Sequence, residues 1–425
     1  MLHTPPPPLR TLVLDAQYCH ALCAVRSLGR HGAQVDVASH KPHAQSFSSR
    51  YRNEKHHCPD PNRDRAAYVK WLLDTLRRGH YDATMCFEEA TADILSDYRD
   101  TVRHYTGCPM PEREAFLKAS RKDRAAKLAR QLGVAVPTTH ELQSFADLEP
   151  LARTLQFPVV VKGVSSSGSQ QVAVAENAAD MGHHVRRIAD LRQSADLPLP
   201  VIQEYIPGSG YGVTALMRHG SMVASFMHRR IAEHDIAAGV AFAHGATGAE
   251  SVHEPEMLQA ASRMLEALQW NGVAMVEFKR HSETGQFYFI EINPRFVGSL
   301  ELAVAAGVDL PWLFAQQAAE RPIAGPTRYR VGLKYRWLIS KNVADAFERP
   351  LGYWAGVLAS ALPGSRTDLS FRDPGPHASH ARNALWWIRE HLRGQHRAQP
   401  QAAPATLPEA TPQFSDPVVS EENSG

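Results

Sequence analysis

The stretch QFYFIEINPRF, residues 286–296, places polar side chains at every second position of an otherwise apolar run. Successive side chains of a β-strand point to opposite faces, so Glu291, Asn293 and Arg295 share one face. The opposite face is apolar and is expected to pack on a core. The residues before this strand decide whether its polar face is solvated or functional.

A second strand pattern, GVAMVEFKR at residues 272–280, precedes this stretch across the turn HSETG, which predicts a β-hairpin. A hairpin centred near Thr284 puts Glu277 directly opposite Glu291, because the two numbers are symmetric about 284. Like charges that face each other across two strands are destabilising unless something compensates them. A divalent cation is the natural compensation.

The same face supplies further groups that suit a metal and phosphate site. Asn293 adds a third hard oxygen ligand, and such a set with open positions suits Mg²⁺ held partly by phosphate oxygens. Arg295 is placed to bind a phosphate that is transferred or a carboxylate that is activated. The alternative is a solvated hairpin face with cross-strand salt bridges through Lys279.

Upstream, Lys162 ends the apolar strand FPVVVKG and is followed closely by SSSGS at residues 165–169. A lysine beside a loop of small residues fits a phosphate cradle made of backbone N–H groups and an ammonium group. An ordinary strand that ends in a lysine and a Ser/Gly loop is the alternative.

Composition excludes several classes of protein. The 425 residues are 44% hydrophobic and 21% charged, with a formal net charge of +2, which is ordinary for a globular chain of about three domains. We therefore expect small-molecule partners and no nucleic acid. No run reaches the about 18 apolar residues of a membrane span, and MLHTPPPPLR lacks the pattern of a secretory signal. Five cysteines without a disulfide framework predict reduced thiols and a cytoplasmic location.

Two groupings of Cys and His could be imagined as metal sites, Cys19-x3-Cys23 and the run His56-His57-Cys58. Neither spacing matches a zinc site, so ordinary thiols and a solvated His pair are the favoured interpretation.

The alternation along the chain predicts a parallel α/β domain at the start, with a strand, a helix and a strand over residues 10–40. The first strand is not followed by G-x-G-x-x-G, so the dinucleotide fingerprint is absent. A single long helix is predicted over residues 112–132, ended by Gly133, and an amphipathic helix over residues 255–270.

These elements occur in an order that resembles the ATP-grasp superfamily, most closely its carboxylate-amine ligase branch and the ATP-binding domain of carbamoyl-phosphate synthetase. The resemblance covers roughly residues 9–325, and its most specific part is GVAMVEFKR followed by FIEINPRF, where E-x-N-x-R follows a first acidic strand. RKDRAAKLARQLGVAVP, FPVVVKG and VIQEYIPG add to it. It implies an α/β fold with α+β lobes, the ATP-grasp fold, preceded by a Rossmann-like pre-ATP-grasp domain.

The implied domains, in chain order, are a pre-ATP-grasp Rossmann-like domain at 1–110, an ATP-grasp N-terminal lobe at 111–200, a C-terminal lobe at 201–330, a C-terminal extension at 331–395 and a disordered tail at 396–425.

The resemblance also implies the ATP site. Lys122 and Lys162 resemble the family's two nucleotide-binding lysines, the Ser/Gly loop resembles the flexible loop over the β and γ phosphates, and VIQEYIPG resembles the hinge that meets the adenine. The residues implied to bind ATP are Lys122, Lys162, Ser165, Ser166, Ser167, Gly168, Ser169, Gln203, Glu204, Tyr205 and Ile206.

For the metal site, Glu277, Glu291 and Asn293 resemble the family's ligands, with Glu291 bridging two Mg²⁺ ions and Mn²⁺ as an alternative metal. Arg295 resembles the catalytic residue that steadies the transferred phosphoryl group and the acyl phosphate. Arg229 and Arg230 are candidates to bind the substrate carboxylate, with a basic strand end as the equal alternative.

Ser299 is a candidate for the acceptor pocket, with an ordinary packed position as the favoured alternative. The helix that contains Trp386, Trp387 and Ile388 is expected to pack on the main body, and a partner or membrane-surface contact is the alternative.

The implied activity is an ATP- and Mg²⁺-dependent ligase that activates a carboxylate as an acyl phosphate for attack by an amine, with an amino acid or small peptide as substrate. Two alternatives stay open, an ATP-grasp carboxylase and a nucleotide-binding module without chemistry. A homodimer is an alternative to a monomer.

Overall fold

The computed structural model describes residues 7–163, 171–191, 198–231, 248–338 and 364–380. Two predicted features lie outside these residues, the helix at Trp386, Trp387 and Ile388 and the tail at 396–425. Among the described residues, no helix combines the length and the apolar character needed to cross a membrane.

The chain begins with a four-stranded sheet, in which every pair of neighbouring strands is parallel. Its strands are β1 (Arg10–Val13), β2 (Gln34–Ser39), β3 (Arg52–His57) and β4 (Ala83–Met85), and their order is β3-β2-β1-β4. The strand, helix and strand predicted at residues 10–40 are confirmed, and the sheet is Rossmann-like.

Helices accompany these strands: α1 (Cys19–Arg30), α2 (Arg65–Gly79), α3 (Glu89–Asp97) and α4 (Arg99–Arg103). Helix α1 buries Leu22, Val25 and Leu28 at the predicted helical spacing. The chain leaves it through Gly32, whose φ of +80° favours glycine.

The predicted long helix over residues 112–132 is wrong, because the chain forms two helices, α5 (Arg113–Ser120) and α6 (Lys122–Gln131). Arg121 lies between them in an extended conformation, with φ −86° and ψ 117°. Its guanidinium donates two hydrogen bonds to Asp123, which lies in the first turn of α6, where a negative charge is favourable. No proline or glycine marks this break, so hydrophobic spacing alone did not reveal it.

A small lobe follows, built on a four-stranded antiparallel sheet. Its strands are β5 (Thr139–His140), β6 (Val159–Lys162), β7 (Val172–Ala175) and β8 (Val201–Glu204), in the order β5-β8-β6-β7, with helices α7 (Leu148–Ala152) and α8 (Ala178–Asp190). The lobe has its own core, in which Val161, Val185 and Ile202 are fully buried.

The largest sheet has seven strands in the order β13-β12-β9-β10-β11-β14-β15. They are β9 (Gly208–Arg218), β10 (Ser221–Ile231), β11 (Gly248–Ser251), β12 (Gly272–His281), β13 (Phe287–Asn293), β14 (Lys334–Arg336) and β15 (Ser365–Thr367). Helices α9 (Pro255–Ala267), α10 (Leu300–Ala306) and α11 (Leu310–Ala318) accompany it. The predicted C-terminal extension therefore adds β14 and β15 to this sheet.

The parallel sheet and the seven-stranded sheet share their hydrophobic cores. One cluster joins Leu14 to Val213 and Val276, and another joins Phe87 to Phe296. Burial of apolar surface from both sheets in one cluster fixes the N-terminal domain against the sheet that carries Glu277 and Glu291.

Candidate active site

Strands β12 and β13 form the predicted hairpin, and Glu277 lies directly opposite Glu291, as the centre at Thr284 predicted. Asn293 lies opposite Met275 two residues further on, so its side chain shares the face of Glu291. The register shifts by one residue beyond Glu277, where a β-bulge brings Phe278 opposite Phe289. The structure thus brings both carboxylates and the amide to one patch.

Each carboxylate has a cation beside it. Arg230 Nη2 lies 2.6 Å from Glu277 Oε1, and Lys122 Nζ lies 3.6 Å from Glu291 Oε2. Burial raises the pKa of Glu291, but the charges of Lys122 and Lys162 and a hydrogen bond from Asn293 outweigh burial, so the pKa lies below its usual range. Glu291 is therefore held ionised.

Asn293 and Arg295 continue the polar face past the end of β13. Asn293 Nδ2 donates to Glu291 Oε1 at 3.1 Å, and Arg295 Nη2 donates to Asn293 Oδ1 at 3.4 Å. Arg295 also donates from Nη1 to the carbonyl oxygen of Phe296 at 3.1 Å. Glu291, Asn293 and Arg295 are thus linked in series by side-chain hydrogen bonds. Ser299, the candidate for the acceptor pocket, is buried further along the chain, at the N-cap of α10.

Lys162, at the end of β6, faces the same patch from the small lobe. Its Nζ donates to Gln203 Oε1 at 2.7 Å, and Gln203 Nε2 donates to Thr139 Oγ1 at 3.0 Å. Burial and the nearby Lys122 ammonium lower the pKa of Lys162 to about 8, although Glu291 and Glu277 act in the opposite sense. Gln203 thus orients a lysine whose environment favours binding of an anion.

The rest of the predicted hinge connects the small lobe to the seven-stranded sheet. Glu204 Oε2 accepts a hydrogen bond from the backbone N–H of Thr138 at 3.0 Å, and Ile206 is buried. The Lys279 ammonium lies 5.6 Å from the centre of the Tyr205 ring and donates to Gly208 O at 2.9 Å. The predicted loop residues Ser165, Ser166, Ser167, Gly168 and Ser169 lie outside the described residues.

Comparison with known proteins bears on the fold of this chain. Residues 196–340, which include the Glu277 and Glu291 strands, match the model of a family described as ATP-grasp in the biosynthetic pathway with Ter operon. The N-terminal section of the carbamoyl phosphate synthase large chain from Methanopyrus kandleri is 24% identical over 196 residues, which are 45% of this chain and 34% of that protein. The chain thus matches about a third of the length of this curated relative.

Two solved structures share the fold. The biotin carboxylase domain of 2-oxoglutarate carboxylase from Hydrogenobacter thermophilus, in complex with MgADP, ADP and bicarbonate, has a TM-score of 0.60 at 12% identity. That similarity covers 77% of this chain and 74% of the other. The L-amino acid ligase from Bacillus licheniformis has a TM-score of 0.57 at 17% identity over 75% of this chain and 76% of the other.

The chain has the ATP-grasp fold.

Within this ATP-grasp fold, the two candidate substrate arginines, Arg229 and Arg230, lie on opposite faces of the seven-stranded sheet. They are neighbours on β10, so their side chains leave opposite faces, and only Arg230 reaches Glu277. Arg229 instead donates from Nε and Nη2 to Glu250 Oε2, at 2.9 and 2.6 Å. The structure brings Arg230 to the predicted metal patch and places Arg229 in an ion pair on the other side of the sheet.

Sequence reasoning missed Gly212 and His228, which extend this face across β9 and β10. Gly212 lies between Glu277 on β12 and His228 on β10. A Cβ atom at Gly212 would come within 2.6 Å of the His228 ring and 3.1 Å of the Met275 sulfur. The run GSGYG, with glycines at every second position of a strand, was the available signal for a face that is kept free of side chains.

The structure also groups Asp36, Glu54 and His56 closely enough to resemble a metal site. Asp36 already accepts hydrogen bonds from Tyr81 Oη at 2.8 Å and from Arg10 Nη2 at 3.2 Å. Burial raises its pKa, but hydrogen bonds from His56 and other donors outweigh burial and lower it. Asp36 therefore joins β1, β2 and β3. His56 Nε2 lies 3.4 Å from Tyr81 Oη, so His56 belongs to this structural cluster and is only partly solvated.

Proposed function

We propose that this ATP-grasp chain is an ATP- and Mg²⁺-dependent ligase that activates a carboxylate as an acyl phosphate for attack by an amine, with an amino acid or small peptide as substrate. The observation that carries the proposal is the position of Glu277 directly opposite Glu291, with Asn293 on the same face. Two facing carboxylates and an amide supply the hard oxygen donors that Mg²⁺ prefers. The residues present therefore fit Mg²⁺, with Mn²⁺ as an alternative metal.

The ATP-binding role rests on the two lysines near this patch. Lys122 lies beside Glu291, and Lys162 is held by Gln203. We assign both ammonium groups to phosphate oxygens of ATP. The solved fold relative from Hydrogenobacter thermophilus contains MgADP, which supports the same pairing of metal and nucleotide here. We assign the adenine to Tyr205 and the hinge around it, as the resemblance implies.

Mg-ATP supplies the phosphoryl group and part of the charge neutralisation. A substrate carboxylate oxygen forms a bond to the γ-phosphorus while the bond to the ADP oxygen breaks, which gives an acyl phosphate. An amine nitrogen then attacks the carbonyl carbon, phosphate leaves and the amine proton passes to solvent. Arg295 neutralises charge on the transferred group, and Lys162 binds phosphate oxygens.

A carboxylase that makes carboxyphosphate is the second candidate. It is supported by the Hydrogenobacter thermophilus carboxylase domain, whose structure contains bicarbonate. The same metal patch would serve it, with bicarbonate as the carboxylate that is phosphorylated. The two candidates differ in what ADP release requires. The ligase needs an organic acid and an amine, whereas the carboxylase needs only bicarbonate.

The test is release of ADP and phosphate by the purified protein with ATP, Mg²⁺ and pools of amino acids, with bicarbonate alone as a separate arm. Glu291→Gln keeps the shape of the side chain but removes the charge, and is expected to lower release at least about a hundredfold. Glu283→Gln, in the exposed turn of the same hairpin, is the matched control and should leave release unchanged. Equal release from both variants contradicts the proposal.

The partners we propose are small-molecule carboxylates and amines, in a cytoplasmic protein.

A further inference from the structure

Three polar side chains lie in a row across the sheet of the small lobe, and the row ends at Lys162. Thr139 on β5 lies directly opposite Gln203 on β8, and Gln203 lies directly opposite Val160 on β6. Lys162 follows Val160 by two positions in the same strand, so its side chain shares the face of Gln203 and Thr139. We call Lys162, Gln203 and Thr139 the lysine relay.

The lysine relay lies on the face of the small sheet that is turned away from the core of the lobe. The core takes the other face, where Val161 and Ile202 pair across β6 and β8 and are fully buried. The three polar side chains of the relay therefore lie together, outside the hydrophobic core of the lobe.

Hydrogen bonds connect the relay from end to end. Lys162 Nζ donates to Gln203 Oε1 at 2.7 Å, and Gln203 Nε2 donates to Thr139 Oγ1 at 3.0 Å. Thr139 Oγ1 in turn donates to the carbonyl oxygen of Pro137 at 2.9 Å. Every link is within the usual length of a hydrogen bond.

Chemistry fixes the direction of these hydrogen bonds at both ends of the relay. The Lys162 ammonium has only donors, and the Pro137 carbonyl oxygen only accepts. A hydroxyl group has a single proton, and Thr139 gives it to Pro137, so Thr139 Oγ1 is left as an acceptor. The amide of Gln203 must therefore turn its N–H groups to Thr139 and its oxygen to Lys162.

The orientation of the Gln203 amide matters because its two ends have nearly the same shape and opposite hydrogen-bonding character. If the amide turned over, its N–H groups would face the Lys162 ammonium, and two donors would meet. Only 8% of the surface of Gln203 is exposed, so water does not readily replace a lost partner. An acceptor at Thr139 works against this turn.

The backbone beside Thr139 is fixed to the strand that carries Gln203. The backbone N–H of Glu204 donates to the carbonyl oxygen of Thr138 at 2.8 Å, and Glu204 Oε2 accepts from the backbone N–H of Thr138 at 3.0 Å. Two hydrogen bonds thus hold the start of β5 against β8. They keep the Thr139 hydroxyl group within reach of Gln203.

We propose that Thr139 is a positioning residue, whose hydroxyl group orients the Gln203 amide so that its oxygen holds the Lys162 ammonium in place for the phosphate oxygens of the nucleotide. The inference rests on the ATP-binding role of Lys162 in the function proposed above, and it deepens that role. Thr139 acts through Gln203 and needs no contact with the nucleotide.

The test measures the Kd of ADP in the presence of Mg²⁺ by isothermal titration calorimetry with the full chain. Thr139→Val keeps the shape of the side chain and removes the hydroxyl group, Thr139→Ala removes the same group with a smaller side chain, and Thr139→Ser keeps it. Thr138→Val is the matched control, because it makes the same change at the exposed neighbouring position. The melting temperature of each variant reports that it is folded.

We expect Thr139→Val and Thr139→Ala to weaken ADP binding about threefold to tenfold, the usual effect of losing one hydrogen bond between neutral groups. Thr139→Ser should restore binding to within about twofold of the wild type, because its hydroxyl group can still accept from Gln203. Thr138→Val should bind ADP as the wild type does.

Gln203→Glu separates orientation of the side chain from packing of the lobe. A carboxylate has two oxygens and no N–H, so it presents an acceptor to Lys162 whichever way it turns. Adding Thr139→Val to Gln203→Glu should therefore change ADP binding by less than about twofold. A packing defect at Thr139 would instead weaken ADP binding equally in both backgrounds.

Three results overturn the positioning role of Thr139 and leave the ligase function standing. They are wild-type ADP binding by Thr139→Val, the same loss in Thr139→Ser as in Thr139→Val, and an equal loss from Thr139→Val in the Gln203→Glu background. Absence of ADP binding by the wild type would overturn the nucleotide role of Lys162 and this inference with it. If the relay behaves as expected but no acid and amine support ADP release, the ligase function alone is overturned.

Discussion

Arg230 Nη2 lies 2.6 Å from Glu277 Oε1, on the face where Glu277 lies directly opposite Glu291. The arginine therefore offsets part of the repulsion between two facing carboxylates. A divalent cation bound between the same carboxylates would offset the same repulsion. The arginine and the metal are thus expected to substitute for each other in part.

The first prediction follows from this substitution. Arg230→Gln should lower the free energy of unfolding by about 1–3 kcal/mol in EDTA, because it removes the Arg230 charge that lies beside Glu277. The loss should shrink in excess Mg²⁺. Arg229→Gln is the matched control, since its partner Glu250 lies opposite Arg229 and Lys334 and not opposite a second carboxylate, so its cost should be the same in both buffers. Urea unfolding in both buffers measures the difference, and equal losses for Arg230→Gln in EDTA and Mg²⁺ would contradict it.

The second prediction concerns pH. Burial and, to a lesser extent, the nearby Glu88 carboxylate raise the pKa of Asp15 from 3.8 to about 6, although three hydrogen bonds favour the charged form. Between these two values the native state holds a proton that the unfolded state has lost. The contribution of Asp15 to stability therefore falls as pH rises from about 4 to about 6, by about 3 kcal/mol.

Asp15→Asn removes this titration, so the difference in unfolding free energy between wild type and variant should change across that pH window. Chemical unfolding at pH 4, 5, 6 and 7 measures it. A constant difference at all four values would show that Asp15 has no raised pKa.

The third prediction tests the open face of β9. Gly212→Ala should lower the free energy of unfolding by about 1–3 kcal/mol, because the new Cβ would lie 2.6 Å from the buried His228 ring. It should also weaken Mg-nucleotide binding, since His228 and Glu277 share that face. Gly182→Ala in helix α8 is the control: its nearest neighbour is the flexible end of Arg186 at 3.2 Å, and it should raise stability by up to about 1 kcal/mol. Equal stability of both variants would contradict this view of Gly212.

The fourth prediction concerns the attachment of residues 364–380 to the N-terminal domain. Asp373 accepts hydrogen bonds from Arg26 Nε at 2.9 Å, Ser49 Oγ at 2.9 Å and Arg50 N at 2.8 Å, and the Arg26 pair is buried. Asp373→Asn should therefore cost about 3–5 kcal/mol.

Asp74→Asn is the control for this pair. It breaks an exposed pair with Arg77 at 3.7 Å and should cost less than about 1 kcal/mol. Thermal unfolding of both variants measures the costs, and a loss below about 1 kcal/mol for Asp373→Asn would show that the buried pair is not a structural attachment.

The sequence predicted the hairpin register well, because strand periodicity and a short turn constrain which residues can face each other. Glu277 and Glu291 are opposite each other for that reason. Periodicity failed at Arg121, where a side-chain contact with Asp123 accompanies a break between two helices that no glycine or proline marks. Hydrophobic periodicity carries no information about such an ion pair.

Contacts between segments far apart in the chain could not be predicted from the sequence either. The pair between Arg26 and Asp373 joins residues 347 positions apart, and the stack of Phe296 on Phe87 joins the seven-stranded sheet to the parallel one. The facing carboxylates were predicted as a metal site from the strand pattern, and the ATP residues were named by resemblance to a family. The roles of both sets in this chain stay predictions.

The most direct test of the central claim is binding of Mn²⁺, followed by its electron paramagnetic resonance signal, in the presence of ADP. We predict that the wild type and Glu283→Gln bind Mn²⁺ and release it to excess Mg²⁺, while Glu291→Gln binds at least about tenfold more weakly. Equal Mn²⁺ binding by Glu291→Gln and the wild type would contradict the assignment of the Glu277 and Glu291 face as the metal site.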